Sequence, residues 1–489
     1  MTVSPDGSRV AFRRNGEIWV APLGGGGVVE DPAVRLSDDG GLNYSFSPDS
    51  RAVVYATGEG VWSHPVNGGA RTPIAVDVDL PVVAPVTTLI RGVRVLDFEV
   101  DGFTDPTSIL VADGRIEWIG PESGRTVPSG ARILDAEGRF AIPGLFDSHT
   151  HVATPIHFNP ARDVSRMESN LAYGVTSVRD MGSDITLVKA WTDRREHFGA
   201  PVPRIFSYGA MTEVPGPFFH GGSWFVGTED EARAMVREQK ADGTAGIKSY
   251  FTMPWPLQRA TADESRRQGM PVAAHGLTFR EVVMAPVLGR TSMEHQPSPI
   301  RVHGDILRLL AETGVRWDPT VAPVGGNGVL FAQEPELLSD PKLRSFTSQG
   351  DYALAGEVEL FAALDPQVLG QAYADLLTSL GQGHAMGVSL LAGTDALNPN
   401  VFYGHGLHTE LWHLSRARIP AIDILRIATI EAATTVGAQD HLGSLEAGKL
   451  ADIVLLDEDP LEDIRHAESI WQVMLEGRLY GSDPELARR

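Results

Sequence analysis

Two histidines separated by one residue close the apolar stretch Ala141-Ile142-Pro143-Gly144-Leu145-Phe146-Asp147-Ser148-His149-Thr150-His151-Val152. On a β-strand, residues two apart face the same side, so both imidazoles can reach one cation. Such a pair is also common as polar decoration of a strand end, so four later segments decide the matter. Ile247-Lys248-Ser249 sets a lysine in an apolar context, in a chain whose other lysines are Lys189, Lys240, Lys342 and Lys449. A buried ammonium is costly. The cost disappears if the amine reacts with CO₂ to give a carbamate, an anion able to bridge two cations. Pro271-Val272-Ala273-Ala274-His275 and Thr291-Ser292-Met293-Glu294-His295 each end on a histidine, and Leu390-Leu391-Ala392-Gly393-Thr394-Asp395 ends on an aspartate. His149, His151, Lys248, His275, His295 and Asp395 together make a nitrogen and oxygen donor set for two divalent metal ions. Zinc is expected first, with manganese or another divalent ion tolerated by the same donors.

The elements that must position these groups follow from the pattern around them. Between Phe140 and Gly437 short apolar strands alternate with helical stretches, the signature of repeated βα units. Strand ends fall at His149, Arg179, Ser207, Lys248, His275, His295, Asp318 and Asp395, the eight that a closed (β/α)₈ barrel needs. Barrel enzymes build their active sites at these C-terminal strand ends. The stretch from Asn327 to Gln382 is too long for a simple connection and reads as largely helical, a lid, an interface element or a plain insertion. From Thr88 the chain reads as short strands, Leu89 to Leu96, Thr107 to Ala112, Arg115 to Ile119 and Arg132 to Leu134, with hairpin turns at Asp113-Gly114 and Glu137-Gly138. Matching strands return at Ala451 to Leu456 and Ile470 to Leu475. The two flanks are therefore expected to form one small sandwich-like β-domain.

Nearer the start, Ser4-Pro5-Asp6-Gly7 and Ser47-Pro48-Asp49-Ser50 open two similar strand pairs, with Trp19 and Trp62 at corresponding places. The spacing is that of a propeller blade. Two blades cannot close a propeller, so the reading expects either a remnant packed on its neighbour or a chain that begins inside a longer product. The expected organisation is thus α/β: blades over 1–80, a composite β-domain from 88–140 and 437–482, and a metal-dependent barrel over 141–436.

Composition narrows the partners. The 489 residues are 42% apolar and 21% charged, with a formal charge of -22 and no cysteine. Such a charge disfavours nucleic acid and anionic membrane surfaces. The lack of cysteine excludes thiolate metal sites, a cysteine nucleophile and disulfides. No apolar run is long enough to span a bilayer and the N-terminus lacks an export signal, so the chain as given reads as cytoplasmic. A small-molecule substrate is expected, and a homo-oligomer is compatible with the sequence.

With these ligands in place, the chain resembles the amidohydrolase superfamily, in particular its branch of imidazolonepropionase-like proteins and Xaa-Pro or Xaa-Arg dipeptidases. The resemblance runs from about Thr88 to the C-terminus and includes Leu442-Gly443-Ser444-Leu445-Glu446-Ala447-Gly448-Lys449-Leu450-Ala451-Asp452-Ile453-Val454, similar to the family's C-terminal signature. The first segment resembles TolB-type blades, a fusion known in this branch. The resemblance implies that His149, His151 and Asp395 hold the more buried ion, that His275 and His295 hold the other, and that Lys248 as carbamate bridges them together with a hydroxide. It implies hydrolysis of a carbon-nitrogen amide, in a dipeptide or N-acyl amino acid, with Asp395 as the proton carrier.

Other residues have two readings each. His220, in Pro217-Phe218-Phe219-His220-Gly221-Gly222, would contact substrate or the oxyanion, or lie on a surface loop. Tyr250 would donate to a substrate carboxylate or the oxyanion, or simply pack. Arg179 and Asp180 read as a pair that orients ligands or as a structural ion pair. His405 and His408 share one helical face, which permits a ligand site, but with six donors already assigned they and Glu410 read rather as lining or capping, and His384 and His441 as structural. The same site would also serve a lactone, ester or phosphotriester hydrolase. A one-metal deaminase fits less well, because Gly276-Leu277-Thr278-Phe279 follows His275 without an acid and Lys248 would have no role. A non-catalytic binding protein is disfavoured by the complete donor set.

Overall fold

The computed structural model describes residues 1–14, 16–38, 40–57, 59–77, 82–152, 160–216, 223–276, 278–296, 301–348, 351, 366–396 and 398–481. The first of these form two four-stranded antiparallel meanders, Thr2–Val3, Arg9–Arg14, Glu17–Pro22 and Val34–Arg35, then Leu42–Phe46, Ala52–Thr57, Gly60–Pro65 and Thr72–Ile74. The repeated turns have the same chemistry. Ser4 Oγ donates to Asp6 Oδ1 and Ser47 Oγ to Asp49 Oδ1, both at 2.6 Å, and each aspartate accepts a backbone N–H two residues on. Ala11, Ile18, Val20, Leu36, Val53, Tyr55 and Val66 share one core, so neither meander buries its apolar face alone. This arrangement is compatible with propeller blades.

The two flanks of the barrel meet in one sheet. Thr88–Asp97 pairs with Thr107–Ala112, and Phe140–Pro143 joins it to Ile453–Leu456, Ile470–Leu475 and Arg478–Gly481. Asp113-Gly114, both with positive φ, does turn a hairpin. Glu137-Gly138 does not. The strands on either side of it, Arg132–Asp135 and Phe140–Pro143, both run parallel to Thr88–Asp97 and pair with successive parts of it. A turn signal marks a reversal of pairing only when the next strand pairs back on the previous one, and here both pair with a third.

Seven barrel strands then follow in the order Leu145–Thr150, Val175–Asp180, Arg204–Ser207, Ile247–Ser249, Val272–His275, Ser292–Glu294 and Arg316–Asp318, with Met211–Glu213 and Ser223–Phe225 as two further short parallel strands beside the fourth. Ala245 N donates to Ser207 O at 2.7 Å, linking the third to the fourth. An eighth segment around 389–395 lies between the seventh and the first: Leu391 N donates to Trp317 O at 2.9 Å, and Ser148 N to Ala392 O at 2.9 Å. Helices alternate with the strands, from Pro160–Ala172 to His405–Arg416. The pleat sorts side chains between the two faces of each strand. Ser292 and Glu294 contact Arg179 on one face, while Met293 between them joins the apolar layer with Val175, Val178 and Trp317.

Glu410 braces the insert that follows the seventh strand. Its two carboxylate oxygens accept Val321 N and Ala322 N, each at 2.9 Å, at the start of a helical run that continues as Asn327–Gln333. Further helices lie at Pro341–Phe346 and Pro366–Ala385. Among the described residues, no helix is long and apolar enough to cross a membrane.

Candidate metal centre

The predicted donors come from different strand ends and converge. His149 Nε2, His151 Nε2 and an Asp395 oxygen lie within 4.8 Å of one another, with His151 Nε2 3.0 Å and His149 Nε2 3.6 Å from Asp395 Oδ1. His295 Nδ1 is 3.7 Å from Asp395 Oδ2. The His295 ring sits 4.8 Å from that of His149 and 4.3 Å from that of His275, centroid to centroid. Lys248 is buried within range of the same groups, its charge interacting with Glu294 and Asp395.

Two backbone features aim the set. His295 has φ 70° and Asp395 φ 53°, the left-handed region that non-glycine residues avoid. At His295 the twist matters most. Glu294 and His295 are sequence neighbours that a regular strand would send to opposite faces, yet both reach the His149 and Asp395 cluster.

The orphaned polar atoms test whether the site fits metal ions. Lys248 Nζ, His149 Nε2 and His275 Nδ1 are buried with no hydrogen-bond partner among the described residues. Buried polar groups are normally satisfied, so a cluster of orphans fits cations and an anionic bridge between them. For three of the four histidines the protonation pattern agrees; burial opposes the charge of His151, but Asp395 holds it above the usual imidazole value. Burial pushes His149 and His275 well below the usual imidazole value and His295 down to about 4, leaving the neutral form that ligates metals. Burial opposes ionisation of Asp395, but His149, His151 and His295 hold it well below the usual carboxylate range. Burial pushes the Lys248 amine down to about 8 against the pull of Glu294 and Asp395, which makes its neutral form accessible.

A second layer holds these groups in place. His149 Nδ1 faces Glu294 Oε2 at 2.9 Å, and His151 Nδ1 faces the Gly182 carbonyl at 3.3 Å. Either bond turns the Nε2 of its ring toward the centre. His295 Nδ1 contacts Thr320 Oγ1 at 2.8 Å. Arg179 ties the barrel floor together, donating to Glu294 Oε2 at 2.9 Å, Asp318 Oδ2 at 3.2 Å and Ser292 Oγ at 3.0 Å. Arg179 and Asp180 do not form the expected pair. Adjacent strand residues face opposite sides, and Asp180 instead accepts from Ser183, Ser207 and Val152 N.

The other candidates separate. Tyr250 is buried with its ring 4.4 Å from that of His275, beside the cluster. His220 lies outside the described residues. His405 and His408 sit against Tyr173 and do not join the cluster, and His408 Nε2 meets Tyr173 O at 2.8 Å. Glu294 and Asp318 were missed by sequence reasoning. For Glu294 the available signal was its two-residue spacing from Ser292 on a strand.

The comparisons agree with this geometry. The family model described as "Amidohydrolase family" matches residues 140–480, and the chain belongs to that family of hydrolases acting on carbon-nitrogen bonds. A 5-methylthioadenosine/S-adenosylhomocysteine deaminase from Symbiobacterium thermophilum is 24% identical over 407 residues, 72% of this chain and 80% of the relative. An adenine deaminase from Paracoccus denitrificans is 38% identical, but over 69 residues, 14% of this chain and only 12% of its own length. Among solved structures, a Xaa-Pro dipeptidase with bound methionine in its active site aligns with TM-score 0.64 and 21% identity, over 81% of this chain and all of that one. A prolidase complexed with N-methylphosphonate-L-proline gives 0.63 and 23%, with the same coverage. These likenesses establish the fold, that of the amidohydrolase (β/α)₈ barrel.

Proposed function

We propose that the chain is a binuclear metal-dependent amidohydrolase that cleaves an amide in a dipeptide or an N-acyl amino acid. The observation that carries this reading is Lys248, a fully buried amine without a hydrogen-bond partner among the described residues, set among carboxylates and imidazoles. A one-metal deaminase leaves that amine unexplained, whereas a carbamate bridge accounts for it. In this reading His149, His151 and Asp395 would hold one ion and His275 and His295 the other, and Lys248, once carboxylated, would supply an anionic oxygen donor.

Two divalent ions, when bound, lower the pKa of water and polarise the scissile carbonyl. The chain's own groups do the rest. Asp395, ionised in its nest of histidines, takes a proton from the attacking water and delivers it to the leaving amine. Tyr250, beside His275, donates to the substrate carboxylate or the developing oxyanion, and His220 is assigned a similar contact from its loop. Burial of His149 and Lys248 shields these two donors from bulk water. The organisation into blades (1–80), a composite β-domain (88–140 with 437–482) and a catalytic barrel (141–436) is part of the same proposal, as is a small-molecule substrate.

The test is a hydrolysis screen of dipeptides, N-acyl amino acids, lactones, esters, phosphotriesters and aminopurines, with zinc or manganese and bicarbonate, read as relative kcat/KM. Preference for a dipeptide or N-acyl amino acid is expected. A clear preference for a lactone or phosphotriester would move the chain to the ester-type chemistry, and for an aminopurine to deamination.

A further inference from the structure

The N-terminal meanders do not stand apart from the barrel. Arg13, on the strand Arg9–Arg14, forms an ion pair with Asp184, and the two side chains are only 16% and 2% exposed. Asp184 opens the helix Ile185–Phe198 that follows the second barrel strand, its Oδ1 accepting Thr186 N at 2.9 Å. The blade turn at Gly40 lies against the same first helical turn, since a Cβ added there would meet the Thr186 hydroxyl.

The loop ending at Asp184 is the one that holds His151. Met181 N donates to Thr150 O at 2.8 Å, Ser183 N to Gly209 O at 3.1 Å, and the Gly182 carbonyl faces His151 Nδ1 at 3.3 Å. Gly182 sits at φ 149°, and a Cβ there would come within 2.6 Å of Met211 Cγ, so the loop passes this point only as glycine. A short run of backbone therefore links a cation of the first meander to the orientation of an imidazole in the site.

We propose that Arg13 is a positioning residue for the metal centre: through Asp184 the N-terminal meanders clamp the loop 181–184 and so fix the Gly182 carbonyl that orients His151. The inference rests on His151 being a metal ligand, as proposed above. Removing Arg13 leaves the Asp184 carboxylate buried without its countercharge, a strongly unfavourable state that the loop relieves by turning outward. The Gly182 carbonyl then moves with it, and the His151 ring loses its hydrogen-bonded tether. The blades thereby act as part of the catalytic framework, a role different from that of an independent binding module.

The experiment measures zinc affinity of the full chain by competition with a chromophoric chelator, together with amide exchange over 181–184, for the wild type, Arg13→Ala and Arg13→Lys. The wild type is expected to bind two zinc ions. Arg13→Ala should weaken one of them about tenfold or more, as lost outer-layer partners do, leave the other unchanged and speed exchange at 181–184. Arg13→Lys, which keeps the charge but not the planar fork, should fall in between. If Arg13→Ala fails to fold, Arg13→Lys against the wild type decides, with a weakened single site expected. Zinc affinity and loop exchange unchanged in the folded variants, even with a lowered melting temperature, overturn the clamp alone. A wild type that binds no zinc overturns the clamp and the proposed function together.

Discussion

Glu294 Oε2 lies 2.9 Å from His149 Nδ1 and equally 2.9 Å from Arg179 Nη2, so one carboxylate oxygen serves an imidazole and a guanidinium at once. All three side chains are buried, and burial together with Glu294 drives the neighbouring Asp318 well above the usual carboxylate range. Arg179 therefore has Glu294 as its main countercharge.

Replacing Glu294 by Gln should be felt twice. Zinc affinity should fall about 10- to 100-fold as His149 loses its anionic partner, measured by chelator competition. Stability in urea should drop by about 1–3 kcal/mol, because Arg179 loses one buried carboxylate partner while Asp318, relieved of the Glu294 charge, ionises beside it. Unaltered zinc affinity would confine Glu294 to a structural role.

Asp395→Asn removes the proposed proton carrier while keeping the shape of the side chain. A loss in kcat of about 10²- to 10⁴-fold is expected, with an unchanged far-UV circular dichroism spectrum. A variant that retains most of its kcat places the general base elsewhere.

Lys248→Met tests stability and function in opposite directions. In metal-free protein the variant should melt at the same temperature or higher, since a buried amine with no hydrogen-bond partner among the described residues gives way to a thioether of similar volume. Activity should vanish and should not return with zinc and bicarbonate, which should restore a chelated wild type. Recovery of the variant under those conditions would rule out the carbamate.

Tyr250→Phe deletes only a hydroxyl beside His275. If that hydroxyl holds a substrate carboxylate, KM should rise about tenfold, the worth of a hydrogen bond to a charged group, with kcat nearly intact. A fall in kcat at constant KM would assign the hydroxyl to the oxyanion, and no change in either would leave Tyr250 as packing.

The convergence of the candidate donors was legible because barrel strands place chemistry at their ends and a strand repeats every two residues. His149 and His151 needed only that period, and the barrel strands do close at or beside His149, Arg179, Ser207, Lys248, His275, His295 and Asp318. Glu294 offered only its two-residue spacing from Ser292, and its joint service with His295 was not legible, because it depends on a positive φ that no residue type announces. The partners of Arg179 were hidden for a different reason: Glu294 and Asp318 lie more than a hundred positions away, and local adjacency pointed to Asp180 instead.

A pH prediction follows from His413, buried on the helix His405–Arg416 between Tyr373 Oη at 2.8 Å and Asn327 Oδ1 at 3.1 Å. Burial and the nearby Arg416 push it down to about 3 from an ordinary 6.5. Between those values the unfolded chain binds a proton that the folded chain refuses, so this contribution to stability is complete above pH 6.5 and is lost as the pH falls toward 3. Thermal unfolding should show the decline. His413→Gln, which cannot titrate, should unfold with about one proton fewer taken up in that range, and an identical proton uptake would contradict the assignment.

Arg139 and Asp457 pair across 318 positions of sequence, next to the strands Phe140–Pro143 and Ile453–Leu456 that knit the flanks into one sheet. During synthesis, then, the early edge of that sheet must wait with its backbone groups unclaimed until nearly the whole barrel has left the ribosome. Joining the two flanks by circular permutation, with new termini opened in a barrel loop, should shorten that wait and speed refolding.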